Sequence, residues 1–471
     1  MISTEDRDRY RRLLKSALDQ PTDESKTPPA VQNFIVPSGH TRALDPTVEL
    51  VRGGRGVGKS AWYLALTSPE HLARLRETAS FEEVTAVHGF GAEPAIEQHP
   101  DRDILEAMLD RGASPRTIWR AVVLHQATRS PDDTSTWVQR VDQVAEDPEH
   151  FARRMHEADV GLGEEGTTLL ILFDALDRTA RAWNRRRELL TSLLEVLLDL
   201  KGYRRIRGKA FVRPDMLDYG GVLAFPDASK LTARAVDLEW RPRDLYRLLW
   251  QRLGNSAAEE ASWFRKRTGK WEEQDGIFLP PKELLRTEER QREVFHEITG
   301  PYMGRNHRRG YPYTWLPKHL ADSRQQVSPR SFLIALDAAV RDTIENREPH
   351  EWPLHWESIK GGVQKASEGR VAEIKEDVGW IDIALGPLEG LSVPCAVEDI
   401  DARWRTKRTL AELENLDAER QPQRVADGAS GLRDELASLG ILEPLSGERV
   451  NMADVYRVAF RLGRKGGVKP L

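Results

Sequence analysis

The 471-residue sequence has a single cysteine, Cys395, and so cannot form an internal disulfide. A lone thiol is typical of a reducing, cytoplasmic setting, which we expect here. The residues flanking Cys395 are apolar or small and favour a buried structural thiol over a catalytic one. Long hydrophobic runs are missing too, since segments such as residues 169–173 are far shorter than the roughly 20 apolar residues of a membrane span. No membrane partner is therefore expected.

A large excess of one charge is also missing. The chain has 70 Lys and Arg against 75 Asp and Glu, which gives a formal net charge of −5. This balance excludes a global basic field for nucleic acid, so any such contact has to be local. Charged residues make up 31% of the chain and hydrophobic residues 39%, as in a soluble globular protein with a polar surface.

What the sequence does contain is a complete phosphate-binding pattern, G-x-x-x-x-G-K-[ST], over residues 53–60. In such a loop the backbone N–H groups surround phosphate oxygens, Lys59 reaches the β- and γ-phosphates, and Ser60 binds Mg²⁺. A strand-like segment precedes the loop and a helix-like segment follows it, which is the context this pattern requires. The residues expected to bind the nucleotide are Gly53, Gly54, Arg55, Gly56, Val57, Gly58, Lys59, Ser60 and Ala61.

The second informative segment is the apolar run 168–173, which is followed by Asp174 and, three residues later, Asp177. A continuous apolar run is typical of a parallel strand buried on both faces. P-loop enzymes hold Mg²⁺ with an acidic residue at the C-terminal end of such a strand, and Asp174 fits that role. Asp177 is a candidate to orient or deprotonate the attacking water. The alternatives are a helix cap for either aspartate and an ion pair for Asp177.

Two arginines complete the candidate catalytic set. Arg213 ends the next buried strand, where it can stabilise the charge that develops in phosphoryl transfer. A salt bridge with Asp215 is the alternative. Arg330 lies in a Ser-Pro-Arg helix start, from which a lid can present it to the nucleotide, and an ordinary exposed arginine is the alternative. A loop with Arg305, Arg308 and Arg309 is a further candidate to reach the phosphate of a neighbouring subunit.

The order of the patterns predicts an α/β fold. Strands alternate with helices up to about residue 242, which indicates a parallel P-loop NTPase sheet covered on both faces. A helical pattern follows, and near the C-terminus a helix, a strand, a Ser-Gly turn and a second strand predict a winged helix. The predicted segments are an N-terminal helix and linker (1–30), the P-loop ATPase core (31–242), a helical lid (243–350), an uncertain connecting region (351–404) and a winged-helix-like domain (405–471).

The C-terminal tail is locally basic. Residues 449–471 carry six Lys and Arg against one acidic residue, a formal charge of +5. Such a tail on a winged helix suits the DNA backbone, so DNA is an alternative partner. Protein docking or a solvated basic face is the interpretation we favour, because aromatic residues and a basic recognition helix are sparse.

Four segments together resemble the STAND and KAP-like P-loop ATPases of bacteria, which lie near the AAA+ class of additional-strand P-loop NTPases. They are the P-loop, the strand Leu-Leu-Ile-Leu-Phe-Asp-Ala-Leu-Asp-Arg, the segment Phe-Val-Arg-Pro-Asp and the Ser-Pro-Arg helix start. The resemblance covers about residues 31–345 and, by a weaker pattern, 405–471. It implies a metal site completed by Asp174, a sensor at Arg213 and a lid arginine at Arg330.

One position departs from the AAA+ pattern. AAA+ enzymes typically have Glu directly after the strand Asp, and this chain has Ala175 there. STAND- and KAP-like sequences use a later acidic residue, which Asp177 matches. The resemblance therefore implies a slow switch rather than a fast motor if Asp177 does not act as the base.

The resemblance implies a Mg²⁺-dependent ATPase that acts as a nucleotide-controlled switch or assembly subunit. Its partners would be further copies of the chain or an effector protein, with phage defence as a setting known for such families. Two alternatives stay open: a DNA-binding ATPase or loader that uses the basic tail, and a scaffold that holds ATP without hydrolysing it. ATP is favoured over GTP because no guanine-reading Asn-Lys-x-Asp motif follows the acidic strand.

Overall fold

The computed structural model describes residues 2–19, 27–78, 83–130, 132–218, 220–417, 420–465 and 468–470. Residues 21–26, which are most of the predicted linker (21–30), lie outside the described residues. The chain divides into two units. The P-loop unit comprises Asp23–Val31 and Ser38–Leu238, and the C-terminal unit comprises Met1–Thr22, Gln32–Pro37 and Glu239–Leu471.

The P-loop unit contains a parallel sheet. Its strands are β1 (Leu50–Arg52), β2 (Val84–Phe90), β3 (Thr168–Phe173), β4 (Ile206–Val212) and β5 (Val236–Asp237). The strand order is β2-β3-β4-β1-β5, and each neighbouring pair is parallel. β4 thus lies between β1, which leads into the P-loop, and β3, which ends at the predicted acidic site. This parallel sheet with its P-loop confirms the predicted α/β fold with a P-loop core.

Both units contain helices, which are numbered in chain order. α1 (Thr4–Leu18) belongs to the C-terminal unit. The helices of the P-loop unit are α2 (Lys59–Thr67), α3 (Pro69–Thr78), α4 (Arg102–Asp110), α5 (Pro115–Ala127), α6 (Trp137–Glu146), α7 (Pro148–Glu164), α8 (Trp183–Asp199), α9 (Pro214–Leu217) and α10 (Ala228–Thr232). The remaining helices of the C-terminal unit are α11 (Pro242–Gly254), α12 (Glu260–Thr268), α13 (Lys282–Arg286), α14 (Glu288–Thr299), α15 (Pro312–Leu320), α16 (Pro329–Asn346), α17 (Trp356–Asp377), α18 (Ile381–Leu385), α19 (Val397–Lys407), α20 (Thr409–Glu414), α21 (Gly428–Ser438) and α22 (Asp454–Arg457).

Burial explains why the central strands read as apolar runs. All six residues of β3 are buried, as expected for a strand with helices on both faces. α8 carries a stripe of leucines, of which Leu193 and Leu197 are fully buried. A Cβ at Gly208 of β4 would lie 2.3 Å from Leu197 Cδ2, so glycine lets α8 pack closely on the sheet.

Lys209 of β4 fixes the chain that leads into β1. Its side chain is fully buried, and Nζ donates to the carbonyl oxygens of Ala43 at 2.7 Å, Asp45 at 2.9 Å and Val48 at 2.8 Å. Three acceptors satisfy the three N–H groups of an ammonium. Burial lowers the pKa of Lys209 to about 7, although nearby carboxylates oppose this change.

The C-terminal unit is mainly helical and is built on an aromatic core. α1 belongs to this core, where Tyr10 packs edge-on against Trp263 with ring centroids 4.8 Å apart. Arg11 of the same helix is buried, and its guanidinium donates to backbone carbonyls between residues 348 and 353. In the part of the chain that the structure describes, no helix is long and apolar enough to cross a membrane.

The same unit carries a hairpin and a winged-helix-like sheet. The hairpin pairs β6 (Glu272–Gln274) with β7 (Ile277–Leu279), and the sheet contains β8 (Cys395–Ala396), β9 (Leu442–Leu445) and β10 (Arg449–Met452) in the order β8-β10-β9. α21 precedes β9, and both neighbours of β10 are antiparallel to it. Because β8 comes from the predicted connecting region 351–404, this sheet begins before residue 405. Cys395 is buried within β8, and burial raises its pKa.

Candidate nucleotide-binding site

The P-loop connects β1 to α2 through residues 53–58. Gly56 and Gly58 have φ angles of +70° and +100°, a region that L side chains rarely adopt. A Cβ at Gly53 would lie 2.6 Å from Val57 Cγ2. Glycine at these three positions therefore lets the loop fold back on itself.

The start of α2 suits an anion. Gly58 is the N-cap residue, and glycine has no side chain that could cap the first N–H groups of α2. The first N–H groups of a helix have no acceptor within the helix, and the helix dipole adds partial positive charge there. Ser60 and Ala61 lie in this first turn, so the predicted nucleotide-binding residues form one continuous loop and helix start.

Lys59 contacts the loop that it follows. Its Nζ donates to the carbonyl oxygens of Gly53 at 3.0 Å and Gly54 at 2.8 Å. Burial lowers the pKa of Lys59 to about 8, and the negative charge of Asp174 opposes this change. The ammonium is therefore held at the phosphate loop by two neutral acceptors, which phosphate oxygens would replace as stronger partners.

Ser60 and Asp174 meet across 114 residues of sequence. Ser60 Oγ donates to Asp174 Oδ2 at 2.7 Å. Asp174 follows β3 directly and is 3% exposed, and burial raises its pKa against the opposing effects of Lys59 and Ser60. Mg²⁺ prefers hard oxygen ligands and usually takes one or two from protein, keeping water and phosphate oxygens for the rest. These two side chains fit such a metal.

A sharp backbone bend follows Asp174. Ala175 has φ 53° and ψ 34°, a left-handed conformation that is uncommon for a residue other than glycine. The bend ends β3 and starts a 3-10 turn over Leu176–Arg178, which contains Asp177. Such strain is of order 1–3 kcal/mol and is found most often at functional sites.

Arg213 is shared by two carboxylates. Its Nη1 lies 3.3 Å from Asp177 Oδ2, and its Nη2 lies 3.1 Å from Asp215 Oδ2. Burial is the largest single effect and raises the pKa of both aspartates. The positive charges of Arg213, Lys59 and Arg55, together with backbone hydrogen bonds, outweigh it, so the net shift of the pKa is downward for each. The salt bridge with Asp215, which is the alternative interpretation of Arg213, is therefore present, and a contact with Asp177 accompanies it.

The structure brings five of the predicted residues together. The electrostatic environment of Lys59 includes Asp174, Asp177, Arg213 and Asp215, and Ser60 is bonded to Asp174. The sequence indicates Asp215 only as a salt-bridge partner of Arg213. The signal for its place in the site is its position two residues after Arg213, just beyond the buried strand β4.

Arg330 lies in the C-terminal unit. Ser328 caps α16 by accepting from the Ser331 N–H at 3.4 Å, as the Ser-Pro-Arg pattern predicts. Arg330 Nη1 donates to Glu373 Oε1 of α17 at 3.0 Å, and its side chain is 42% exposed. The lid role of Arg330 stays a prediction.

Internal contacts take up three of the cations of the C-terminal tail. Arg457 is fully buried, and its Nε donates to Asp454 Oδ1 at 2.6 Å. Arg464 Nη1 lies 2.7 Å from the same Asp454 oxygen, and Arg461 forms an ion pair with Glu389 at 3.3 Å. These arginines stabilise the tail, and their charge is largely compensated.

The helix before the wing is not basic. α21 contains Arg433, Asp434 and Glu435 as its charged residues, a net charge of −1. Arg433 is itself paired with Asp401. A helix that reads DNA normally carries local positive charge, so α21 does not favour the DNA alternative.

Comparison with known proteins adds a fold-level likeness. No protein-family model and no curated protein sequence matches this chain. The crystal structure of Cdc6p from Pyrobaculum aerophilum has 12% sequence identity and a TM-score of 0.33, over 92% of this chain and 94% of that chain. The Aeropyrum pernix ORC2 protein, in ADPNP–ADP complexes, has 14% identity and a TM-score of 0.41 over 93% of each chain. At these values the likeness concerns the fold alone, and function rests on the chemistry of the site.

Proposed function

We propose that this chain is a Mg²⁺-dependent ATPase whose nucleotide state controls assembly or the binding of a partner protein. The observation that carries the proposal is the contact between Ser60 and Asp174 at the mouth of the phosphate loop. It joins the hydroxyl and the carboxylate that a P-loop enzyme needs for its metal, beside the partly buried Lys59. When bound, Mg²⁺ supplies positive charge that neutralises the β- and γ-phosphate oxygens.

Lys59 and the backbone of residues 53–61 would hold the phosphates. The ammonium exchanges the carbonyls of Gly53 and Gly54 for phosphate oxygens, which raises its pKa because the new partners are anionic. Ser60 and Asp174 would provide the two protein ligands of the metal. Hydrolysis would then proceed by in-line attack of water on the γ-phosphorus.

Asp177 and Arg213 would control the attack. Asp177 can orient or deprotonate water only when its carboxylate is available, and in this structure Arg213 lies against it. A γ-phosphate beside Arg213 offers a third anionic partner, so the guanidinium can leave Asp177 and stabilise charge in the transition state. Because hydrolysis needs this exchange, we expect slow turnover, as in a switch.

The resemblance to STAND and KAP-like ATPases supports the proposal that the nucleotide state of the chain controls a partner protein. Such a switch works through an effector protein or further copies of itself, and phage defence is the setting in which we propose to look for the effector. A scaffold that holds ATP without hydrolysis remains the second candidate, because the Arg213 contact leaves Asp177 blocked until it is exchanged.

The assembly state of the purified chain tests the proposal. Mass photometry is recorded without nucleotide, with ADP, with ATP and with a non-hydrolysable ATP analogue, each with Mg²⁺. We expect ATP and the analogue to give one distribution of masses and ADP another, in the chain alone or with its effector. Lys59→Ala should lose this response, whereas Lys230→Ala, an exposed lysine of the same unit, should keep it. Identical distributions in all four states would count against a nucleotide-controlled switch.

A further inference from the structure

A surface loop of the C-terminal unit has an unusual composition. We call residues 301–311, between α14 and α15, the cationic loop. It contains three arginines, one histidine, two tyrosines and no acidic residue. The longer stretch 298–321 also lacks Asp and Glu, although these make up 75 of the 471 residues of the chain and about four would be expected in it.

The cationic loop has a defined backbone. Met303 is buried, and its N–H donates to the carbonyl oxygen of Gly310 at 2.8 Å, which joins the two ends of the loop. Asn306 Oδ1 accepts from the Arg308 N–H at 3.1 Å and caps the 3-10 turn His307–Arg309. A compact loop closed in this way holds its side chains over a small area of surface.

The arginines of the loop are not neutralised. Arg305, Arg308 and Arg309 are exposed, and within the described residues none of them has a carboxylate partner. Other exposed arginines of the chain form ion pairs, as Arg341 does with Asp337 at 3.0 Å. The loop therefore presents three uncompensated guanidinium groups, each of which suits a phosphate oxygen pair.

An exposed aromatic ring lies beside these cations. Tyr311 is 47% exposed, which is unusual for a large aromatic residue in this chain. Its ring stacks on His296 with centroids 6.4 Å apart and an angle of 17°, and Tyr302 packs at 5.7 Å. Support from these two rings holds the Tyr311 ring in place while part of its surface stays open to a ligand.

We propose that the cationic loop binds single-stranded nucleic acid, with Arg305, Arg308 and Arg309 on phosphates and Tyr311 stacked on a base. Guanidinium groups beside a supported aromatic ring are the two components of single-strand binding sites. An acidic peptide would use the arginines but leave the ring face without a partner, and a duplex hides its base faces. The residues of the cationic loop belong neither to the P-loop nor to the C-terminal tail, so the proposal goes beyond the proposed ATPase.

The test measures binding of fluorescein-labelled oligo-dT and oligo-U, about 20 nucleotides long, to the full chain by fluorescence anisotropy. Each phosphate contact to a single strand adds about 0.7 to the slope of log affinity against log salt. We expect the triple variant R305A/R308A/R309A to lose about 2 from this slope and to bind at least tenfold more weakly near 100 mM salt. Tyr311→Ala should weaken binding about tenfold with an unchanged slope, and Tyr311→Phe should bind like the native chain.

The control variant R449A/K465A/K469A removes the same charge from exposed residues of the tail and should bind like the native chain. Thermal melting of every variant verifies folding. The proposal is overturned if the native chain does not bind at about 50 mM salt, or if the tail variant loses affinity as much as the loop variant. It is also overturned if polyglutamate competes as well as the oligonucleotide. If R305A/R308A/R309A loses ATP hydrolysis but binds the oligonucleotide like the native chain, the proposal is also overturned. The arginines would then be assigned to contacts with the nucleotide phosphate of a neighbouring subunit.

Discussion

Replacement of Asp177 by asparagine should slow ATP hydrolysis and spare ATP binding. The substitution keeps the shape of the side chain and leaves an oxygen that can still accept from Arg213, now without negative charge. Asp177 lies in the 3-10 turn after β3 and is not among the groups that we expect to hold phosphate or metal. Loss of the Asp177 carboxylate should therefore impair the positioning of the attacking water and leave the binding of the nucleotide unchanged.

The expected magnitudes follow from the contacts. Loss of a positioned general base typically lowers a rate about 10²- to 10⁴-fold. One charge-assisted hydrogen bond at 3.3 Å is weakened, and Arg213 keeps Asp215 at 3.1 Å, so the loss of stability should be about 1 kcal/mol. Single-turnover phosphate release gives the rate, and the fluorescence of a labelled ATP analogue gives the dissociation constant.

Asp215→Asn is the matched control, because it removes the other carboxylate of the same guanidinium. If Asp177 serves only to hold Arg213, both variants should lower the rate by the same factor. We expect Asp177→Asn to lower it at least tenfold more than Asp215→Asn. Equal loss of ATP affinity and turnover in Asp177→Asn would refute the assignment of this residue to the water.

Three further predictions follow from other contacts. Lys209→Met should lower the free energy of unfolding by about 3 kcal/mol, because it leaves three carbonyls, two of them buried, without their donor. Lys230→Met, at a 59% exposed site, should have little effect in thermal melts. ATP affinity should fall as the pH rises above about 8, by up to tenfold per pH unit, because burial lowers the pKa of Lys59 to about 8 and binding requires the charged form. In binding titrations up to about pH 9.5, the affinity of Lys59→Arg for ATP should not fall with pH in this way. If Arg330 acts on the nucleotide, Arg330→Ala should lower phosphate release about a hundredfold, whereas Glu373→Gln, which only breaks its ion pair, should keep the rate within a few-fold.

Much of the site could be predicted because its signals are local. The P-loop is a continuous pattern of glycines, Lys59 and Ser60, and each residue type is needed for a backbone or ligand property of that position. The strand before Asp174 is buried on both faces, so it appears in the sequence as an unbroken apolar run. These features do not depend on which strands pair.

Other features depend on contacts between distant segments. The sharing of Arg213 by Asp177 and Asp215 requires β3 and β4 to be neighbours, and no sequence pattern gives strand order. The left-handed Ala175 had no signal, because this conformation usually favours glycine or asparagine. β8 has two residues, too few for a strand pattern, and the winged-helix sheet therefore extends beyond its predicted segment.

Charge counts along the sequence were informative only where the side chains are exposed. The tail counts as +5, yet Arg457 is buried against Asp454, and such pairing is invisible in composition. The cationic loop has fewer basic residues, but its arginines are exposed and have no carboxylate partner in the described part of the chain. Partner surfaces therefore require the structure, whereas the nucleotide site is largely encoded in local sequence.

The most direct measurement is phosphate release from ATP by the purified chain and by Lys59→Ala, each with Mg²⁺ and with its effector where one is known. We expect slow but measurable release by the native chain and no release above background by the variant, because Lys59 is the cation that the phosphate loop holds for the β- and γ-phosphates. Thermal melting should show both proteins folded. Unchanged phosphate release by folded Lys59→Ala would contradict the assignment of this loop as the ATPase site.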